Sequence, residues 1–154
     1  MFDYLEEKNA TMKRIVICLA AFLLAYLGYV FLLPHSYSVD KAVAYLNAHA
    51  EPRSRNMCAL YVERAISAGG QPAFIVPAWG YAYVLPHMGF DEVGRDCYVP
   101  QKGDVVVFPH VKNHIWGHIA MYNGHQWVSD FKQRGMIVAK EYNRSQCQYF
   151  RHKN

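Results

Sequence analysis

Gly103-Asp104-Val105-Val106-Val107-Phe108 and, after a polar loop, Gly117-His118-Ile119-Ala120-Met121-Tyr122-Asn123-Gly124-His125-Gln126-Trp127-Val128-Ser129-Asp130 decide the reading of this chain. Residues 105–108 are a short apolar run behind a Lys-Gly-Asp turn. Residues 119–122 and 127–131 flank Asn123-Gly124, the strongest short-range signal for a β-hairpin. Three strands are expected. In that hairpin His118 opens one strand and Asp130, near the end of its antiparallel partner, shares a face with it. An imidazole oriented by a carboxylate is half of a catalytic triad.

A nucleophile stands upstream, in Ser54-Arg-Asn-Met-Cys58-Ala-Leu-Tyr-Val-Glu-Arg-Ala-Ile-Ser-Ala-Gly69-Gly70. Ser54 or Asn56 is the expected N-cap, residues 57–68 favour helix, and Gly69 is a natural stop. Cys58 then lies in the first turn, where orphan amides and the helix dipole favour a thiolate. A nearby His118 would lower its pKa further by forming an ion pair.

Outside this core the most distinctive stretch is Ile15 to Leu33, nineteen residues without a charge behind Lys13 and Arg14. As a helix it would span about 28 Å, close to a bilayer's hydrocarbon core. It is too long for a signal peptide's apolar region, and no small-x-small cleavage site follows it. The expectation is a cytoplasmic tail over 1–14, a transmembrane helix over 15–33, a tether over 34–38 and a catalytic domain over 39–154. Lys13 and Arg14 against an uncharged far flank favour an N-terminus in the cytoplasm, so a single-pass protein with its catalytic domain outside the cytoplasm is expected.

The 154 residues suffice for one modest domain. Thirteen basic and nine acidic residues follow Pro34, so the whole formal charge of +4 belongs to that part. The charges are scattered, with no Lys/Arg block or nucleic-acid motif, so no nucleic-acid partner is expected. Four cysteines are too few for a disulfide scaffold in a chain of this size. Cys18 falls in the apolar run, and Cys97 and Cys147 are left either to pair or to stay free. Apolar positions 39, 42, 43 and 46 predict an amphipathic helix ended by Glu51-Pro52, a short helix is expected around 80–88 beside the cleft, and 147–151 reads as a closing strand.

Cys58 opening a helix, Lys102-Gly103-Asp104-Val105 before a strand, and Gly117-His118-Ile119-Ala120-Met121-Tyr122 on the next strand together resemble the CHAP and NlpC-type families of papain-fold cysteine hydrolases. The resemblance spans residues 39–151. It implies an α+β, papain-like fold with the Cys-bearing helix packed on an antiparallel sheet, and hydrolysis of amide bonds in peptidoglycan, within the stem peptide or at its junction with the glycan. It assigns Cys58 as nucleophile, His118 as general base and then acid, and Asp130 as the orienting group. No cofactor is implied. With a peptidoglycan substrate, the resemblance implies that the expected span sits in the bacterial inner membrane as a single pass, with the catalytic domain in the periplasm or otherwise outside the cytoplasm. The Cys58 backbone N–H is one ready oxyanion donor.

Two other readings compete. His110, His114 and His118 recur every four residues, as zinc ligands on a helix would, although Pro109 and Gly117 oppose a helix there. A catalytically inactive, membrane-tethered wall-binding module is the other, because fold alone does not establish activity. Within the hydrolase reading a phage lysin, an antibacterial effector with a partner immunity or inhibitor protein, and a wall-remodelling enzyme remain open. The expected partners are peptidoglycan and the lipid bilayer, and the expected state is a monomer.

Overall fold

The computed structural model describes residues 12–26 and 36–153. The chain divides into two compact units, Met1–His35 and Ser36–Asn154.

In the first unit, residues 12–26 form a helix, α1. Fifteen residues at 1.5 Å each give about 22 Å, against about 30 Å of bilayer hydrocarbon. The described helix includes Lys13 and Arg14, so only part of its described length is apolar. Among the described residues no helix is long and apolar enough to cross a membrane. This overturns the transmembrane helix expected over 15–33, and with it the single-pass placement in the bacterial inner membrane. The lipid bilayer loses its support as a partner. Residues 1–11 of the expected tail, 27–33 of the expected span and 34–35 of the expected tether lie outside the described residues.

The second unit is α+β. Helix α2 (Val39–His49) starts where the Ser38 side chain accepts the Lys41 N–H at 3.3 Å, and it buries Ala42, Val43 and Leu46. Helix α3 (Cys58–Ala68) buries Val62, Ala65 and Ile66 against the same core. The aromatic segment that follows is a broken helix. It runs as a 3₁₀ turn at Ala78–Gly80, one α turn, α4 (Tyr81–Val84), and a second 3₁₀ turn at Leu85–Met88, closed by Gly89 in the left-handed region. Pro77 and Pro86 explain the breaks, since each lacks an N–H and restricts the residue before it.

Five strands follow: β1 (Phe90–Val93), β2 (Val105–Phe108), β3 (His118–Tyr122), β4 (Trp127–Val128) and β5 (Gln148–His152). They form one sheet in the order β1-β5-β2-β3-β4, with every pairing antiparallel. The C-terminal strand does not close an edge. It inserts between β1 and β2, opposite Val93 and Val106 at Tyr149.

Both faces of the sheet are covered, which is why β2 reads as an unbroken apolar run rather than an alternating one. Val105, Val107, Ile119 and Met121 face the core shared with α2 and α3. Val106, Phe108 and Ala120 face a second core closed by Tyr142, Cys147 and Tyr149. Each fully buried aliphatic side chain contributes about 1.5–3 kcal/mol, an upper figure because the unfolded chain already hides some apolar surface.

The Lys102-Gly103-Asp104 motif is a brace. Gly103 has φ of 91°, and a Cβ there would lie 2.5 Å from Val39 Cγ1, so the turn requires glycine. Asp104 is fully buried, and its carboxylate accepts Arg151 Nε at 2.7 Å, Arg151 Nη2 at 2.8 Å, the Tyr98 hydroxyl at 2.7 Å and the Gln101 N–H at 2.8 Å. A buried charge is tolerable only when so fully paired. The brace locks the start of β2 to β5, and β2 in turn carries β3.

Candidate active site

Helix α3 presents Cys58 as its first residue, and β3 presents His118 as its first. Both line one cleft of about 610 Å³, whose walls include Asn56, Trp116, Phe131 and Tyr142. The strand start is fixed by Gly117, which has φ of 70°; a Cβ there would lie 2.5 Å from the Phe108 carbonyl oxygen. Only glycine lets the chain turn into β3 that closely, and His118 follows directly.

Asp130 is not the partner of His118. Its Oδ2 accepts the Arg55 N–H at 2.5 Å, the Ser54 hydroxyl at 3.1 Å and the Met57 N–H at 3.2 Å, while Oδ1 accepts the Ser129 hydroxyl at 3.0 Å. The N-cap of α3 is Met57, which makes no side-chain cap bond, so the carboxylate of a distant residue does the capping expected of Ser54 or Asn56. Asn56, with φ of 58°, takes the left-handed turn into the helix.

The ring partner of His118 is Gln133, whose Nε2 lies 2.7 Å from His118 Nε2 and 3.0 Å from Ser129 Oγ. Sequence reasoning missed it because β4 ends at Val128. Continued as a strand, residues 129–131 would have carried Asp130 along beside β3. Instead the Ser129 N–H bonds the Phe131 carbonyl at 3.0 Å and the Gln133 N–H returns to the Trp127 carbonyl at 3.0 Å. That tight turn moves Asp130 toward the helix start and brings Gln133 to the histidine. Nothing in the residue pattern announces it, since Asn123-Gly124 fixes only the near end of the hairpin.

The resting electrostatics favour neutral groups. Burial raises the Cys58 thiol above its ordinary pKa; the Ile119 amide opposes this, the negative Asp130 adds to it, and the Ala59 and Cys58 amides oppose it again. Burial lowers His118 to about 4, against opposing pulls from Asp130 and Gln133. Both shifts favour a neutral thiol and a neutral imidazole lining the cleft over the ion pair expected from the helix position alone. Gln133 also leaves one atom over: Oε1 is buried without a hydrogen-bond partner. As oriented, the amide donates to Nε2 and the ring proton belongs on Nδ1. Turning the amide over would present Oε1 to an Nε2–H and free the Nδ1 lone pair.

The histidine triplet does not form a ligand set, although His114 and His118 both line the cleft. His114 lies 3.6 Å from Glu141 and against the ring of Tyr142, His110 meets the edge of Trp79, and residues 110–117 are turns rather than helix. Among the described residues no three His, Cys, Asp or Glu side chains form a group able to hold a metal ion. Cys97 is exposed and Cys147 is buried with its thiol 3.3 Å from the Arg144 carbonyl, both as free thiols.

No protein-family model and no curated protein matches the chain. Two solved structures do. One is the type VI native effector–immunity complex Tae3–Tai3 from Ralstonia pickettii, with a TM-score of 0.69 and 34% identity over 76% of this chain and 100% of that one. The other is the selenomethionine form of the same complex, with a TM-score of 0.63 and 35% identity over 71% and 98% of the two chains.

Proposed function

Because the chain belongs to the Tae3 family of type VI effectors, we propose that it is a peptidoglycan amidase effector acting through the thiol of Cys58, on a papain-like arrangement of helix and sheet. The observation that carries this reading is that the first residue of α3 and the first residue of β3 line one cleft, with a buried amide behind the imidazole.

In this mechanism His118 Nδ1 takes the Cys58 proton as sulfur attacks the amide carbonyl. The oxyanion gathers against the Cys58 N–H at the start of α3. His118 then gives its proton to the departing amine, leaving a thioester, and a water deprotonated by the same imidazole releases the acid. Gln133, with its amide turned so that Oε1 accepts the Nε2–H, holds the productive tautomer through both steps. Asp130 acts one step further back, by holding residues 54–57 and therefore Cys58. A neutral resting pair means proton transfer accompanies attack, which suits a substrate that completes the desolvation of the cleft.

The related structures are effector–immunity complexes, which supports a cognate immunity protein as a partner of this chain. Of the three biological roles open to a wall hydrolase, this favours the antibacterial effector. Mass analysis of fragments released from purified peptidoglycan tests the reaction class: new free amine and carboxylate ends are expected, and fragments produced by glycosidic cleavage alone would overturn it.

A further inference from the structure

The cleft continues beyond Val138. A second hollow of about 400 Å³ shares Ser54, Phe131 and Val138 with it, and Arg53, Lys132 and Arg134 line this extension. All three cations are exposed, and among the described residues none of them forms an ion pair with a carboxylate. Other exposed cations of the domain do, as in Lys102–Asp40 at 2.5 Å and Lys153–Asp91 at 2.8 Å. No Asp or Glu lines either hollow. Three like charges around a partly apolar floor of Phe131, Ile137 and Val138 repel one another unless an anion joins them.

These charges come from two segments that are already tied together. The Glu51 N–H donates to the Asp130 carbonyl at 2.8 Å, Glu51 and Phe131 form a parallel bridge, and the Asp130 carboxylate holds Ser54. Arg53 is therefore fixed relative to Lys132 and Arg134 by the same contacts that fix Cys58. Such prior ordering lowers the entropic cost of gripping a ligand.

We propose that this hollow is an anion subsite that receives a free carboxylate of the peptide substrate beside the scissile amide. The guanidinium and ammonium groups take the carboxylate, while Phe131, Ile137 and Val138 take the hydrocarbon part of the same residue. The inference rests on the amide-hydrolase reading and narrows its substrate to acidic stem peptides.

The test uses two stem peptides that differ only in a free carboxylate or its carboxamide. Their affinities for the full-length Cys58→Ala chain are measured by calorimetry at low and moderate salt. The free acid is expected to bind about tenfold more tightly, the scale of one charge-assisted hydrogen bond. The gap should close in an Arg53→Gln, Lys132→Gln, Arg134→Gln background, and Arg134→Glu alone should narrow it. Equal affinities, or a preference that survives the triple substitution, would overturn the subsite. Hydrolysis by the unsubstituted chain separates the two ideas. Discrimination without cleavage of either peptide removes the amidase and keeps the subsite, whereas cleavage of both at equal rates keeps the amidase and removes the subsite.

Discussion

The Asp130 carboxylate accepts the Met57 N–H at 3.2 Å, so a residue on the turn after β4 holds the start of the helix whose first residue is Cys58. The same oxygen also takes the Arg55 N–H and the Ser54 hydroxyl. Removing it leaves several partly buried donors unpaired. Asp130→Ala is expected to cost about 2–4 kcal/mol, from the price of orphaned buried donors. Thermal unfolding and wall hydrolysis should fall together; full activity with an unchanged Tm would contradict the anchoring role.

Gln133 is expected to behave differently, because it contacts the His118 ring and Ser129 rather than the Cys-bearing loop. Gln133→Ala should lower kcat about tenfold or more, on the scale of lost general acid–base efficiency. Its Tm should change less than that of Asp130→Ala. Steady-state rates and calorimetric unfolding of the two variants side by side provide the check, and an unaffected kcat would remove Gln133 from the positioning of the imidazole.

The neutral resting pair predicts the pH dependence of thiol modification. Burial holds Cys58 above its ordinary pKa, so the thiolate fraction grows with pH throughout the neutral range. Inactivation by iodoacetamide should accelerate about tenfold per pH unit between roughly pH 7 and 9. A rate already level below pH 7 would mean a thiolate–imidazolium pair instead.

Acid should destabilise the fold through His118. Its pKa in the folded chain is about 4, against 6.5 for an ordinary imidazole. Between those values the unfolded chain binds the proton and the folded chain resists it. The stability associated with the neutral ring is therefore complete above about pH 6.5 and is lost as pH falls toward 4, by about 3 kcal/mol. Urea unfolding at pH 7 and at pH 4.5 should show this slope, and His118→Gln should flatten it.

Gly117→Ala tests the entry to β3. The added Cβ would lie 2.5 Å from the Phe108 carbonyl oxygen in a left-handed backbone, a cost of about 1–3 kcal/mol for the strain alone. Unfolding measurements should show the loss, together with reduced hydrolysis as His118 is displaced. A variant as stable as the native chain would mean that the turn relaxes freely.

How far the sequence could be read follows from how local each signal was. Residues 39, 42, 43 and 46 carry helical spacing, and α2 buries Ala42, Val43 and Leu46. Asn123-Gly124 does join β3 to β4, with Tyr122 opposite Trp127. The length of β4 was not legible, because Ser129 to Phe131 turn back through backbone bonds that no residue type dictates. That one turn puts Gln133, in place of Asp130, in hydrogen-bond contact with His118. The insertion of β5 between β1 and β2 was hidden for a related reason, since pairing across about forty to sixty residues leaves no periodic trace. At the other end of the chain, an uncharged run invited a membrane span, whereas no helix among the described residues is long and apolar enough to make one.

The central claim is that the Cys58 sulfur carries the acyl group during amide hydrolysis. Mixing the full chain with purified peptidoglycan, quenching in acid and sequencing the digested protein by mass spectrometry tests it directly. The account predicts a peptide acyl adduct on Cys58, none in Cys58→Ala, and no solubilisation of the wall by that variant. Wall solubilisation by Cys58→Ala at the native rate, with no adduct on Cys58 in the native chain, would contradict it.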